Sequence, residues 1–362
     1  MFNQIEIIEG YLNSNNINYK KNHKIKYETY FKTGGIVKLF ITPNTYEDFK
    51  NIVNMLNKEN FEYKIIGFTS NILLLDEIDY SIIISTKNLT NLEITSDIVT
   101  VEAGYSLQDF VRVAVINKAK GYEGLEGIPA SIGGAIFMNA GAYGYSISEN
   151  LISVECIDKD NNFIILNKNE CNFSYRDSLF KQNPKYTILR AKFKLVEGNR
   201  DEIQKKIEIF HIARHSYQDF VYPNLGSMIS LKGDIYHKIM KKSFKYNIIY
   251  WILKYIYKNP VTKFINRKRA NNVVFNKLLL IYLRNKKDIN LKYTMSTKSA
   301  NILINDGTVS SKEIIEYIYL VHDLIDKKFH IENEIVIEPV YSISESFETI
   351  YNYIKEQKKR RQ

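Results

Sequence analysis

Cysteine is nearly absent from this chain of 362 residues, and its two examples, Cys156 and Cys171, stand in no metal-ligand spacing. A cysteine-built metal centre is therefore excluded, and a reducing cytosol is the expected compartment. The opening MFNQIEIIEGYLN carries neither a basic n-region nor a long apolar stretch, so export is not expected. The longest apolar run, IIYWILKYIY, is broken by Lys254 and falls well short of a bilayer span, so no transmembrane helix is expected either. There is no G-x-G-x-x-G, which removes a Rossmann site. Internal repeats and low-complexity tracts are missing apart from the terminal KKRRQ, which reads as a frayed tail.

With 45% hydrophobic residues the chain can bury a sizeable core, and its length suits two or three domains. Its abundant Ile, Lys and Tyr and scarce Ala reflect nucleotide bias more than a functional demand. The formal net charge of +10 is unevenly placed: residues 232–288 hold fifteen Lys or Arg against two Asp, or +13, which leaves −3 for the remainder. One segment is basic, and a nucleic-acid-binding surface over the whole molecule is not expected.

Short strand and helix signals alternate along the first part. KLFITP, SIIIST, LEITSD and IVTVEAG read as strands, YEDFKNIVNMLNKEN as a helix with Pro43 and Asn44 as breaker and cap, and SLQDFVRVAVINKAKG as a helix ending at Gly121. LISVECID, NNFIILN and ILRAKFKLV continue the strands. EGNRDEIQKKIEIFHIARHSYQ reads as a connecting helix, followed by SANILIND, a helix in SSKEIIEYIYLVHDLIDKKF and a strand in IENEIVIEPV. The fold class is α+β. The expected division is residues 1–85, 86–197 and 198–345, with a basic helical insertion at 232–292 and a C-terminal helix or tail at 346–362.

Against this background, residues 127–144, GIPASIGGAIFMNAGAYG, hold five of the sixteen glycines and no charge. Glycine permits positive φ and lets a bound group approach the main chain, and successive free N–H groups form a nest that suits a phosphate. Gly133, Gly134, Asn139, Gly141, Ala142 and Tyr143 lie too close together for unrelated turns. Upstream, Thr33, Gly34 and Gly35, and then Gly67, Ser70 and Asn71 in IIGFTSNILLLDE, offer further backbone and side-chain donors. Downstream stand FSYRDSLFK with Arg176, the pair Gly226 and Ser227, and Glu332, Glu334 and Glu338, which a period of two places on one strand face. Taken singly, each has a bland reading: a surface Arg–Asp pair, a turn-capping serine, a solvated strand edge.

In this order the motifs resemble the UDP-N-acetylenolpyruvoylglucosamine reductase family, also called UDP-N-acetylmuramate dehydrogenases. TGG, IIGFTSNILLLDE, GLEGIPASIGGAIFMNAGAYG, SYRDSLFK, the Gly226–Ser227 pair, STKSANILIND and IENEIVIEP carry the resemblance, over roughly residues 25–230 and 293–340. It implies an FAD-binding fold of the vanillyl-alcohol-oxidase type: two subdomains that hold FAD and a C-terminal domain that holds substrate. Thr33, Gly34, Gly35, Gly67, Ser70, Asn71, Ile128, Pro129, Ser131, Gly133, Gly134, Asn139, Gly141, Ala142 and Tyr143 are then the cofactor residues. FAD is expected to be noncovalent, for no histidine occurs between His23 and His211. The implied chemistry is NADPH-driven reduction of the enolpyruvyl ether of a UDP-sugar in peptidoglycan precursor synthesis. Arg176 would stabilise the developing enolate, a protonated Glu334 beside it would donate a hydrogen bond to the same group, and Ser227 would protonate the α-carbon.

The chain departs from the family where substrate is held. Phe-Lys-Asn-Pro after the serine becomes Met228-Ile229-Ser230-Leu231, and Lys-His-Ala-Asn-Phe becomes Lys298-Ser299-Ala300-Asn301-Ile302. The basic segment replaces the usual connection and reads as two amphipathic helices joined at Asn259 and Pro260, open to a packed role, to a diphosphate pocket, or to contact with a peripheral membrane surface or a partner. Two further readings remain at this level: a paralogue acting on another nucleotide-linked sugar, and a flavin-binding interaction protein without turnover.

Overall fold

The computed structural model describes residues 2–158, 160–230, 234–259, 273–285, 295–325 and 331–359. Its first layer is a sheet in the order Tyr19–Lys24, Ile36–Ile41, Ile78–Ser85 and Val340–Ile343, with Lys64–Ile66 also joined to Ile78–Ser85. Ile36–Ile41 and Lys64–Ile66 run parallel to Ile78–Ser85, and Val340–Ile343 runs antiparallel to it. Alternation sends side chains to both faces. Leu39, Ile41, Ile82 and Ile84 pack under the helices Phe2–Ser14 and Tyr46–Lys58, while Phe40 and Ile83 join a second core shared with the C-terminal part.

The helix Tyr46–Lys58 is not capped by Asn44, as its sequence suggests. Thr45 has the extended backbone that a cap needs, and its Oγ1 accepts from the Asp48 N–H at 3.1 Å. Asn44 instead accepts a hydrogen bond from Asn88.

The second layer is an antiparallel sheet in the order Phe163–Asn167, Leu151–Ile157, Thr187–Lys194, Ile98–Glu102 and Leu92–Thr95. Its core is completed by Leu107, Phe110 and Val111 of the helix Leu107–Ile116 and by Ile132 and Ile136. That helix stops before Gly121 because Asn117 turns its amide back to the Val113 carbonyl and Lys118 takes a positive φ of 53°, after which Ala119–Lys120 pairs with Val196–Glu197. Cys156 and Cys171 are free and buried here, and burial pushes both thiols up to about 12.

The connecting helix is Arg200–Tyr217, capped by Asn199, whose Oδ1 accepts from the N–H groups of Asp201 and Glu202. Beyond it, Asn224–Ser227 pairs with Ile302–Ile304, and the helix Ser311–Leu324 closes over them. The basic segment contributes three helices among the described residues rather than two: Ile235–Met240, Phe244–Lys258 and Val273–Arg284. Asp234 caps the first separately through the N–H groups of Tyr236 and His237. The expected junction lies partly outside the described residues, since Pro260 is not among them.

The expected C-terminal strand is short. Glu334–Val336 runs parallel to Ile72–Leu74, and Glu338 lies past its end, exposed and 3.9 Å from Lys355. The last third of the chain therefore returns to the N-terminal part twice, through a separate two-stranded sheet with Ile72–Leu74 and through Val340–Ile343 at the edge of the first sheet.

Candidate active site

A cavity of about 760 Å³ opens where the two sheet layers and the C-terminal part meet. One wall is the turn that follows Lys64–Ile66, with Gly67, Ser70 and Asn71; a second is the loop and helix start bearing Ile128, Pro129, Ser131 and Gly134; Gly141 and Ala142 line it further along. Arg176, Ser227 and Glu334, from three separate segments, line the same space. Ser131 caps the helix Ile132–Phe137 by accepting from the Gly134 N–H at 3.2 Å. A Cβ on Gly67 would stand 2.1 Å from the Ser131 hydroxyl oxygen, so these two turns are in contact only because one of them carries glycine.

Several sequence expectations are displaced. Thr33, Gly34 and Gly35 line a second cavity bordered by Lys24, Lys26 and Lys32. Gly34 and Gly35 serve packing there: the Gly34 N–H is taken by Asp76, and a Cβ on Gly35 would sit 2.3 Å from the Ile78 carbonyl oxygen. Gly133 packs on Ala103. Asn139 donates to the Ser174 carbonyl at 2.8 Å and so holds the segment that carries Arg176. Tyr143 stacks on Phe210 with centroids 4.5 Å apart, and its hydroxyl meets Tyr217 at 3.2 Å. These residues shape the site without lining it.

The carboxylates also exchange places. Glu334 takes an ion pair with Lys64, while the group beside Arg176 is Glu332, whose Oε2 lies 3.9 Å from the Arg176 Nε. Glu332 accepts a further hydrogen bond from the Tyr175 hydroxyl at 3.2 Å. The ion pair recorded for Glu334 is thus with the Lys64 ammonium, and the carboxylate paired with Arg176 is that of Glu332.

Arg176 itself sits at a φ of 56°, rarely adopted by a residue with a long side chain, and its Nε is buried with no hydrogen-bond partner. A buried guanidinium N–H without a hydrogen-bond acceptor is costly, and the carboxylate recorded nearest to it is that of Glu332, at 3.9 Å. Arg214 repeats the pattern from the connecting helix. Its Nη2 donates to the Glu126 carbonyl at 2.9 Å, while its Nε is buried and unmatched. Among the described residues, the charged side chains lining the cavity are these two arginines and the two glutamates.

The altered substrate-side loop is firmly held. Asn301 accepts from the Ile229 N–H at 3.0 Å and donates to the Ile229 carbonyl at 2.8 Å, and Lys298 donates to the carbonyls of His215 and Gln218. Met228 is fully buried, and Ser230 Oγ stands 3.5 Å from the Tyr175 hydroxyl. Glu332, Tyr175, Arg214 and Asn301 are among the lining residues for which the sequence suggested no role. The SYRD motif contained the signal for Tyr175; one arginine among the many charges of the helix Arg200–Tyr217 gave none for Arg214.

Residues 37–167 match the FAD binding domain family. UDP-N-acetylenolpyruvoylglucosamine reductase of Fervidobacterium nodosum is 31% identical over 309 residues, which cover 85% of this chain and 87% of the relative. The chain belongs to the UDP-N-acetylenolpyruvoylglucosamine reductase family. The Clostridium novyi member is 30% identical over 319 residues, covering 86% and 89% of the two chains. The crystal structure of the Thermus caldophilus reductase shares the fold, with a TM-score of 0.63 over 88% of this chain and 99% of that one at 23% identity. The family's FAD fits the cavity: turns bearing Gly67 and Gly134 form its walls, and Arg176 and Arg214 add positive charge to its lining.

Proposed function

We propose that this protein is an FAD-dependent reductase that uses NADPH to convert the enolpyruvyl ether of UDP-N-acetylglucosamine into UDP-N-acetylmuramate, in peptidoglycan precursor synthesis. The carrying observation is that Arg176, whose Nε has no hydrogen-bond partner, lines one cavity with Ser227 and Glu334. The turn at Gly67, Ser70 and Asn71 and the loop at Ile128, Pro129, Ser131 and Gly134 would hold the pyrophosphate, with Gly141 and Ala142 near the ring. FAD supplies the hydride chemistry between NADPH and the enolpyruvyl double bond.

Hydride addition at the β-carbon of the substrate leaves negative charge on the α-carbon and its carboxylate. Arg176 receives that charge through donors fixed before reaction, which is where electrostatic stabilisation is most effective. Ser227 Oγ gives its proton to the α-carbon and recovers one from solvent. Glu332 positions Arg176, and Glu334, its charge balanced by Lys64, is retained as the third catalytic residue. The cell compartment we assign is the cytoplasm, and among the described residues no helix is long and apolar enough to cross a membrane.

Purified protein should be yellow and should oxidise NADPH faster when the enolpyruvyl UDP-sugar is added. Bound flavin that NADPH reduces and the substrate fails to reoxidise would move the assignment to another nucleotide-linked sugar; a preparation unable to take up FAD would end it.

A further inference from the structure

The helix Phe244–Lys258 buries one side and leaves the other uncovered. Tyr246 and Tyr250 are buried, with Ile249 and Leu253 packed against the same core. Phe244, Ile248, Trp251, Ile252 and Tyr255 recur at the spacing that places them on one helical face, and all five are exposed, Phe244 at 83%, Tyr255 at 73% and Trp251 at 49%. A second apolar stripe opposite the buried one is not required by the fold.

Lysines flank this stripe. At 100° per residue Lys245 falls on one side of it and Lys254 on the other, and Lys254 lies 4.6 Å over the Trp251 ring. Lys241, Lys242 and, on the helix Val273–Arg284, Lys277 are exposed, as is Ile281 of that second helix. Residues 234–259 contain one carboxylate, Asp234, and it is turned inward to accept from the Tyr250 hydroxyl at 2.8 Å. Residues 273–285 contain none.

We infer that the helix Phe244–Lys258 docks on an anionic lipid surface. It lies in the plane of the headgroups, with the Phe244, Ile248, Trp251, Ile252 and Tyr255 stripe below them and the flanking lysines among the lipid phosphates. Amphipathic interfacial helices combine these features: a wide apolar face carrying aromatic residues, bordered by cations. Charge decides the occupant. A second copy of the chain would bring the same +13 segment against this one, whereas an anionic bilayer supplies the opposite sign. Nucleic acid would satisfy the lysines and leave Ile248 and Ile252 without an apolar environment. The inference is independent of the flavin chemistry, since none of these residues lines the cavity.

Trp251 is the sole tryptophan of the chain, so its emission reports on this face alone. The full protein is titrated with vesicles of phosphatidylcholine containing one-third phosphatidylglycerol, and with phosphatidylcholine vesicles alone. Emission should move to shorter wavelength with the anionic vesicles only, brominated acyl chains should quench it, and added salt should weaken the effect. The double variant Phe244→Ser, Ile252→Ser and the double variant Lys241→Gln, Lys245→Gln should each reduce vesicle affinity by about tenfold or more. All four positions are exposed, and an unchanged melting temperature checks that the variants fold. No shift with anionic vesicles overturns the inference, as does an equal shift with neutral ones. A shift that follows protein concentration without lipid would identify a self-association face and overturn it too.

Discussion

The Asn333 side-chain amide donates to the Asn71 side-chain carbonyl at 3.0 Å and, through the same nitrogen, to the Leu225 carbonyl at 2.9 Å. Asn71 in turn donates to the Glu332 carbonyl at 3.0 Å and accepts the Glu334 N–H on its own backbone carbonyl. One buried amide thus fastens the turn assigned to the cofactor, the strand that ends in Ser227, and the segment carrying both glutamates.

Replacing it should affect more than stability. Asn333→Leu removes the donor and leaves buried carbonyls unmatched, a loss of about 1–3 kcal/mol. Thermal unfolding should register this, and substrate-driven flavin reoxidation should slow more than NADPH-driven flavin reduction, because the catalytic side chains lose their common anchor. Equal slowing of the two half-reactions would point to general loosening.

Ser227→Ala should leave NADPH-driven flavin reduction intact and suppress reoxidation by substrate by about 10²-fold or more, as expected for loss of a general acid. Rapid-mixing absorbance of the flavin separates the two halves. Equal loss in both would count against Ser227 as the proton donor.

For Arg176, substitution by Gln should cost on the order of 10²–10³ in the substrate half-reaction, the scale for removing one fixed donor to a developing anion. Lysine should not rescue it, since an ammonium lacks the planar fork. Glu332→Gln should cost less than Glu334→Gln if Glu332 acts only by positioning Arg176. The reverse order in steady-state kcat would transfer the catalytic role to Glu332.

Acid stability has a local contributor at Glu28. Burial would raise its pKa, but hydrogen bonds from Lys87 and Lys20 outweigh that and hold it down at about 2. A carboxylate depressed on folding contributes stability above its unfolded value near 4.5, and that stability is lost as pH falls from there toward 2. Melting temperature should therefore fall less steeply over this window in Glu28→Gln than in the parent protein.

Much of this architecture was legible in the sequence, and the exceptions share a cause. Most strands of both sheets announce themselves through apolar, β-branched runs, whereas the edge strand Tyr19–Lys24, YKKNHK, carries no such run; the loop at residues 127–144 shows itself through its glycines. Gly34 and Gly35 look alike on paper but meet a different demand, close packing against the Ile25 side chain and the Ile78 backbone respectively. Period-two reasoning put Glu332, Glu334 and Glu338 on one face, yet only Glu334–Val336 is a strand, and which glutamate meets Arg176 depends on how two distant segments cross. Arg214 was invisible for the same reason: its helix shows an ordinary charged pattern, and the burial that marks it arises only when Gly127 packs against its side chain.

The return of the C-terminal segment to the first sheet has a bearing on biosynthesis. Ile78–Ser85 leaves the ribosome long before Val340–Ile343, its antiparallel neighbour, and Ile72–Leu74 waits equally long for Glu334–Val336. During translation the nascent chain carries a bare strand edge through more than half of its synthesis. The cavity-lining turn at Asn71 gains its final anchors only after nearly all of the polypeptide has emerged.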